Sequence, residues 1–235
     1  MTQLAELITG VARGDDRALA HALSTIEDRA GGAEELIDAL AILGRALPVI
    51  GVTGAPGVGK SSLVNQIVGR FRADNKRVAV LAVDPSSPVT GGALLGDRIR
   101  LQDHAGDSGV FIRSLSARGH LGGLVDSTAD LLTVLRAAPF DVIVLETVGV
   151  GQSEIEVMKF ADTVVVVTAP GLGDSVQAAK AGILEIASVI VVNKSDLDGA
   201  DRAVGELERP ELDAPVVATC ALTGAGLDEL MALLR

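Results

Sequence analysis

The chain has 235 residues, 48% of them hydrophobic, and a formal net charge of −11. That length and apolar content suit one α/β core with a small addition, and the acidic balance disfavours nucleic acid and anionic membrane surfaces as partners. The single cysteine, Cys220, excludes an internal disulfide; with no basic-then-apolar leader and no run of about 18 apolar residues, the expectation is a soluble cytoplasmic protein.

Along the first 46 residues, apolar side chains recur at helical spacing. Leu4, Leu7, Ile8 and Val11 form one set, Leu19, Leu23 and Ile26 a second, and Leu36, Ile37, Leu40 and Leu43 a third. Gly14-Asp15-Asp16 and Gly31-Gly32 punctuate them. The spacing predicts an N-terminal helical extension over 1–46, and Pro48 marks entry to a core domain over 47–235. In that domain, apolar runs at 49–53, 78–83, 142–145, 163–168, 189–192 and 216–218 alternate with helical patterns at 61–73, 124–138, 175–187, 199–207 and 226–234. Near-continuous apolar strands fit a mostly parallel central sheet with helices on both faces.

The first strand runs into Gly54-Ala55-Pro56-Gly57-Val58-Gly59-Lys60-Ser61. This is the G-x-x-x-x-G-K-[ST] phosphate-binding loop, placed between a strand and a helix as it must be. Glycines let several N–H groups converge on a phosphate chain, and the helix that follows adds its positive end. Lys60 is expected to reach the β/γ-phosphates and the Ser61 hydroxyl to ligate Mg²⁺, with Ser62 completing the nucleotide-contacting set. The fold class is therefore a P-loop NTPase.

Asp84 ends the second apolar run, and Asp97 lies beyond a stretch rich in Gly, Pro and Ser. Two acids flanking such a stretch read as a loop that closes on Mg²⁺ when triphosphate is bound. The segment 113–123 is glycine-rich and basic within an acidic chain and reads as partner-facing. The run 142–145 delivers Glu146 to the carboxyl edge of the sheet, where it can act on Mg²⁺, and Gly149 can bring its amide to a γ-phosphate. Val150 stands where many GTPases carry a water-orienting Gln, so unassisted hydrolysis is expected to be slow. Pro170-Gly171-Leu172-Gly173-Asp174 adds a glycine hinge, followed by Lys180.

Asn193-Lys194-Ser195-Asp196 follows the fifth run. The Asp196 carboxylate can accept from N1–H and the exocyclic amine of guanine, a donor pair that adenine lacks. Asn193 can bridge to the phosphate loop, and the Lys194 stem can lie along the base. After the last run, an amide near Ala221 and Leu222 can donate to guanine O6. The predicted activity is a Mg²⁺-dependent GTPase that binds GTP and GDP, with Lys60, Glu146 and Gly149 nearest the chemistry. A helix, rather than a hairpin, between the runs at 78–83 and 142–145 predicts a parallel pair there.

These motifs, with Asp84-Pro85-Ser86-Ser87, Arg118-Gly119-His120-Leu121-Gly122-Gly123 and Glu146-Thr147-Val148-Gly149-Val150-Gly151-Gln152-Ser153-Glu154, resemble the MeaB/ArgK/MMAA family. The resemblance implies a GTPase chaperone that gates adenosylcobalamin delivery to methylmalonyl-CoA mutase or a related acyl-CoA mutase, and protects it. It implies that Asp84, Asp97 and Glu146 join Ser61 around Mg²⁺. It also implies nucleotide-sensitive segments near 84–98, 147–160 and 170–180. Family members continue into an arm that helps form a homodimer; the sequence ends at Arg235, so that arm is expected to be absent and homodimerisation stays open. Two alternatives remain: a GTP-binding regulatory scaffold with negligible turnover, and a nickel-type metallochaperone. The second would want clustered His or Cys, whereas three His and one Cys are scattered here.

Overall fold

The computed structural model describes residues 3–84, 102–104, 106–116, 121–147, 155–156, 158–171, 183–209 and 212–235. Three helices open the chain: α1 (Gln3–Arg13), α2 (Asp16–Glu27) and α3 (Ala33–Leu43). Asp15 caps α2, its carboxylate accepting from the Ala18 amide at 2.8 Å. Seven strands follow: β1 (Val49–Gly54), β2 (Val78–Asp84), β3 (Val110–Ser116), β4 (Val142–Thr147), β5 (Thr163–Thr168), β6 (Val189–Val192) and β7 (Val216–Ala218). The helices among them are α4 (Lys60–Ala73), α5 (Leu121–Ala137), α6 (Ala200–Leu207) and α7 (Leu227–Leu234).

The strands form one sheet in the order β3-β2-β4-β1-β5-β6-β7. Among the described residues every strand pairing is parallel. The expected parallel pair is therefore present, with Val78 opposite Val142 in the β2–β4 register. Parallel strands are covered on both faces, and alternate residues sort to each. Ile50, Val52, Val80, Val144, Val165 and Val167 pack with α4 and α7. Val49, Leu81, Ile143, Leu145, Val164 and Val166 face the other way, onto α5 and the N-terminal helices. Leu19, Leu23, Leu36 and Leu40 are fully or almost fully buried in that second layer, so α1–α3 share its core.

One strand escapes the sequence reading. The segment from Arg113, expected to face a partner, begins inside edge strand β3. Arg113 Nη2 donates to Glu27 Oε2 at 2.8 Å and to Ser24 Oγ at 3.0 Å, tying the strand to α2. An arginine expected to face a partner is held in an internal ion pair. Of the helix expected over 175–187, residues 175–182 lie outside the described residues and 183–186 form a turn. Arg45 fastens the entry to the core by donating to the carbonyls of Ala138 and Phe140 at 3.0 and 2.9 Å.

Candidate functional site

Parallel topology gathers the carboxyl ends of β1, β4, β6 and β7 along one edge, which is where ligands of open α/β sheets bind. β1 ends at Gly54, whose φ is 147° and where a Cβ would run into the Val167 carbonyl. Gly59, at φ 93°, caps α4 with no side-chain bond, and a Cβ there would strike the Asn193 amide. The loop therefore curls against β5 and β6, and an uncapped helix end presents its first-turn donors to an anion. Lys60 is 7% exposed, and its ammonium donates to the Gly54 and Ala55 carbonyls at 2.7 and 3.0 Å. The cation is thus held across the mouth of the loop.

Ser61 begins the buried chemistry. Its hydroxyl donates to Glu146 Oε1 at 2.7 Å, joining the loop helix to the end of β4. Glu146 is 5% exposed, so the apolar strand has carried a carboxylate into the interior edge of the site. Beside it, Thr147 Oγ1 donates to Thr53 Oγ1 at 2.9 Å, and both residues are fully buried. This pair locks the end of β4 to the strand that feeds the phosphate loop. Sequence reasoning missed it, although each hydroxyl is visible as a Thr closing an aliphatic run.

Asn193 is the hub of the purine side. Its Nδ2 donates to the Val58 carbonyl at 2.9 Å, and its Oδ1 accepts from Thr219 Oγ1 at 3.2 Å and the Ala221 amide at 3.1 Å. Lys194, at φ 60°, reaches back to the Gly57 carbonyl at 2.6 Å. Asp196 stands exposed one turn further on. Ala221 is buried, while Leu222 is 84% exposed beside it. From α4, Gln66 Nε2 donates to the Ala221 carbonyl at 3.0 Å. The 220–224 turn closes through the Thr223 and Gly224 amides, both onto the Cys220 carbonyl.

A clamp supports the helix that carries Lys60 and Ser61. Arg72 meets both oxygens of Asp107, at 2.8 and 2.9 Å. The Arg72 hydrogen bond and then the Gly109 amide hold the Asp107 carboxyl below the usual carboxylate range. The same bond raises the Arg72 guanidinium. Asp103 adds a 2.8 Å contact to Asn65 from the short helical turn Gln102–His104.

The structure brings together Gly54, Ala55, Pro56, Gly57, Val58, Gly59, Lys60, Ser61 and Ser62 at the loop, Glu146 at its flank, and Asn193, Lys194, Ala221 and Leu222 around it. Asp84 closes β2, opposite Ser116 in register. Asp97, Gly149 and Lys180 lie outside the described residues. Among the described residues no cluster of three or more His, Cys, Asp or Glu could hold a metal alone, and no helix is long and apolar enough to cross a membrane.

A phosphate loop facing a buried strand-end carboxylate, on an all-parallel sheet with an Asn-Lys-x-Asp turn, defines a P-loop GTPase of the parallel-sheet class. The family model described as Methylmalonyl Co-A mutase-associated GTPase MeaB matches residues 17–235. The chain belongs to that family and is a GTPase. A putative GTPase of Pyrococcus horikoshii is 46% identical over 98% of this chain and 76% of its own length. A fused isobutyryl-CoA mutase of Paraburkholderia xenovorans is 39% identical over 82% of this chain, in a stretch that makes up 16% of that protein. The crystal structure of a LAO/AO transport system kinase superposes with a TM-score of 0.77 at 30% identity, over 99% of this chain and 74% of that one.

Proposed function

We propose that this GTPase is a chaperone that gates adenosylcobalamin delivery to an acyl-CoA mutase and protects the loaded enzyme, methylmalonyl-CoA mutase being the first candidate client. The observation that carries the client is the fused relative, in which a stretch matching 82% of this chain is part of one polypeptide named as an isobutyryl-CoA mutase. The family description points the same way.

The nucleotide is held in two halves. Lys60 exchanges its two loop carbonyls for the β/γ-phosphate oxygens, while the loop amides take the remaining acceptors. On the purine side Asp196 accepts from the guanine edge. The Ala221 amide is already given to Asn193, so the O6 donor is the next one, that of Leu222. The Ser61 hydroxyl and the Glu146 carboxylate suit a hard divalent cation, because both are oxygen donors brought within 2.7 Å at the start of α4. Ser61, Glu146 and Asp84, with Asp97 from outside the described residues, would hold Mg²⁺. Mg²⁺ supplies charge neutralisation of the triphosphate when bound.

Hydrolysis is in-line attack of water on the γ-phosphate. The chain contributes positioning and charge: Lys60 and the loop amides stabilise the developing negative charge, and the Gly149 amide, which lies outside the described residues, is the further donor proposed for the γ-phosphate. With Val150 in place of a water-orienting Gln, turnover is slow until the client engages. The test is the rate of GTP hydrolysis with and without purified acyl-CoA mutase. The proposal expects acceleration of at least tenfold. A negligible rate in both cases favours a nucleotide-sensing scaffold instead.

A further inference from the structure

Gln66 lies six residues past Lys60 on α4, the helix that begins at the phosphate loop. Among the described residues its amide group makes no hydrogen bond to the loop or to another side chain. It donates to the main-chain carbonyl of Ala221, 155 residues away in sequence. That carbonyl and the Leu222 N–H belong to one peptide unit. The unit is planar and trans, so its C=O and N–H point in opposite directions. Fixing the carbonyl on the α4 side therefore aims the Leu222 N–H away from α4.

The neighbouring groups leave that N–H for recognition. Asn193 takes the Ala221 amide, and the Thr223 and Gly224 amides both bond the Cys220 carbonyl. Among the described residues, the Leu222 amide is the one in this turn with no such bond. The Ala221–Leu222 backbone is thus pinned from both sides, by Asn193 at the preceding amide and by Gln66 at the carbonyl. Asn193 also reaches the phosphate loop at Val58. The phosphate-holding helix and the purine-reading turn become one rigid assembly.

We infer that Gln66 is a positioning residue for guanine recognition: by holding the Ala221 carbonyl it orients the Leu222 amide toward O6 of the base. The inference rests on the reading that the Leu222 amide is the O6 donor. The side chain touches neither base nor phosphate, and it acts only through a peptide plane.

The test compares GTP with 6-thioguanosine triphosphate, which keeps the N1–H and exocyclic amine that Asp196 reads and replaces O6 by sulfur, a much poorer acceptor. Calorimetric affinities for both are measured on the wild-type chain and on Gln66→Met, which keeps length and loses the donor. Wild type should prefer GTP at least tenfold. Gln66→Met should cut that preference at least fivefold, through weaker GTP binding, with 6-thioguanosine triphosphate affinity unchanged within twofold. Gln66→Ala, which removes the donor without adding bulk, carries the same expectation. An unchanged preference, or equal loss for both nucleotides, overturns the positioning role while leaving O6 recognition standing. A wild-type chain that binds both nucleotides equally overturns O6 recognition itself, and the inference with it.

Discussion

Asn193→Ala is the substitution that presses hardest on the geometry of the site. The side chain is 2% exposed and makes three hydrogen bonds, to Val58, Thr219 and Ala221. Each bond contributes about 1 kcal/mol net, and the groups left behind are buried or nearly so, which adds desolvation cost. The loss should be about 3–4 kcal/mol. At a urea slope of roughly 2–3 kcal/mol/M for a domain of this size, the unfolding midpoint falls by about 1–2 M with the slope unchanged. Thr219→Val removes only the longest of the three bonds and should cost about 1 kcal/mol. Because Asn193 also joins the phosphate loop to the purine turn, GTP affinity measured under native conditions should fall at least tenfold, more than stability loss alone explains. A midpoint shift below about 0.3 M, or undiminished GTP affinity, would refute the hub.

Lys60→Ala, which gives up the bonds to the Gly54 and Ala55 carbonyls, should abolish tight triphosphate binding; calorimetry with GTP measures this, and wild-type affinity would remove Lys60 from the site. Asp196→Asn should turn preference from guanine toward xanthine, whose edge offers an acceptor where guanine offers an amine; an unchanged GTP-to-XTP affinity ratio would count against that role. Asp107→Asn should cost about 1 kcal/mol near neutral pH, because Asp107 grips Arg72 with both oxygens. Its carboxyl is depressed in the folded state, so the contribution is full above the unfolded value of about 3.9 and is lost as pH falls through the folded one. The difference between wild type and variant in chemical denaturation should accordingly shrink below about pH 4; a gap that stays constant into acid would contradict the clamp.

Much of the site was legible because its chemistry is written in local spacing. The loop glycines, Lys60 and Ser61 sit within eight consecutive residues. Asn193 and Asp196 follow an aliphatic strand whose length sets their place at the sheet edge. Glu146 is readable for the same reason. What could not be read depends on partners far along the chain. β3 carries Arg113, Ser114 and Ser116, so it lacks the aliphatic run that betrays the other strands. Its arginine is satisfied by Glu27 and Ser24, which no spacing rule connects to it. The Thr53–Thr147 bond joins two strands 94 residues apart. Gln66 is less visible still, because its partner is a carbonyl, which every residue possesses. Only the backbone orientation at Ala221 singles it out.

A gate driven by hydrolysis requires that the client distinguish the two nucleotide states, since a ligand that binds both forms equally shifts nothing. The most direct test is the affinity of this chain for purified methylmalonyl-CoA mutase, by analytical ultracentrifugation, with a non-hydrolysable GTP analogue and then with GDP. The account predicts a complex whose affinity differs at least tenfold between the two. Equal affinity in both states, or no complex in either, would contradict it.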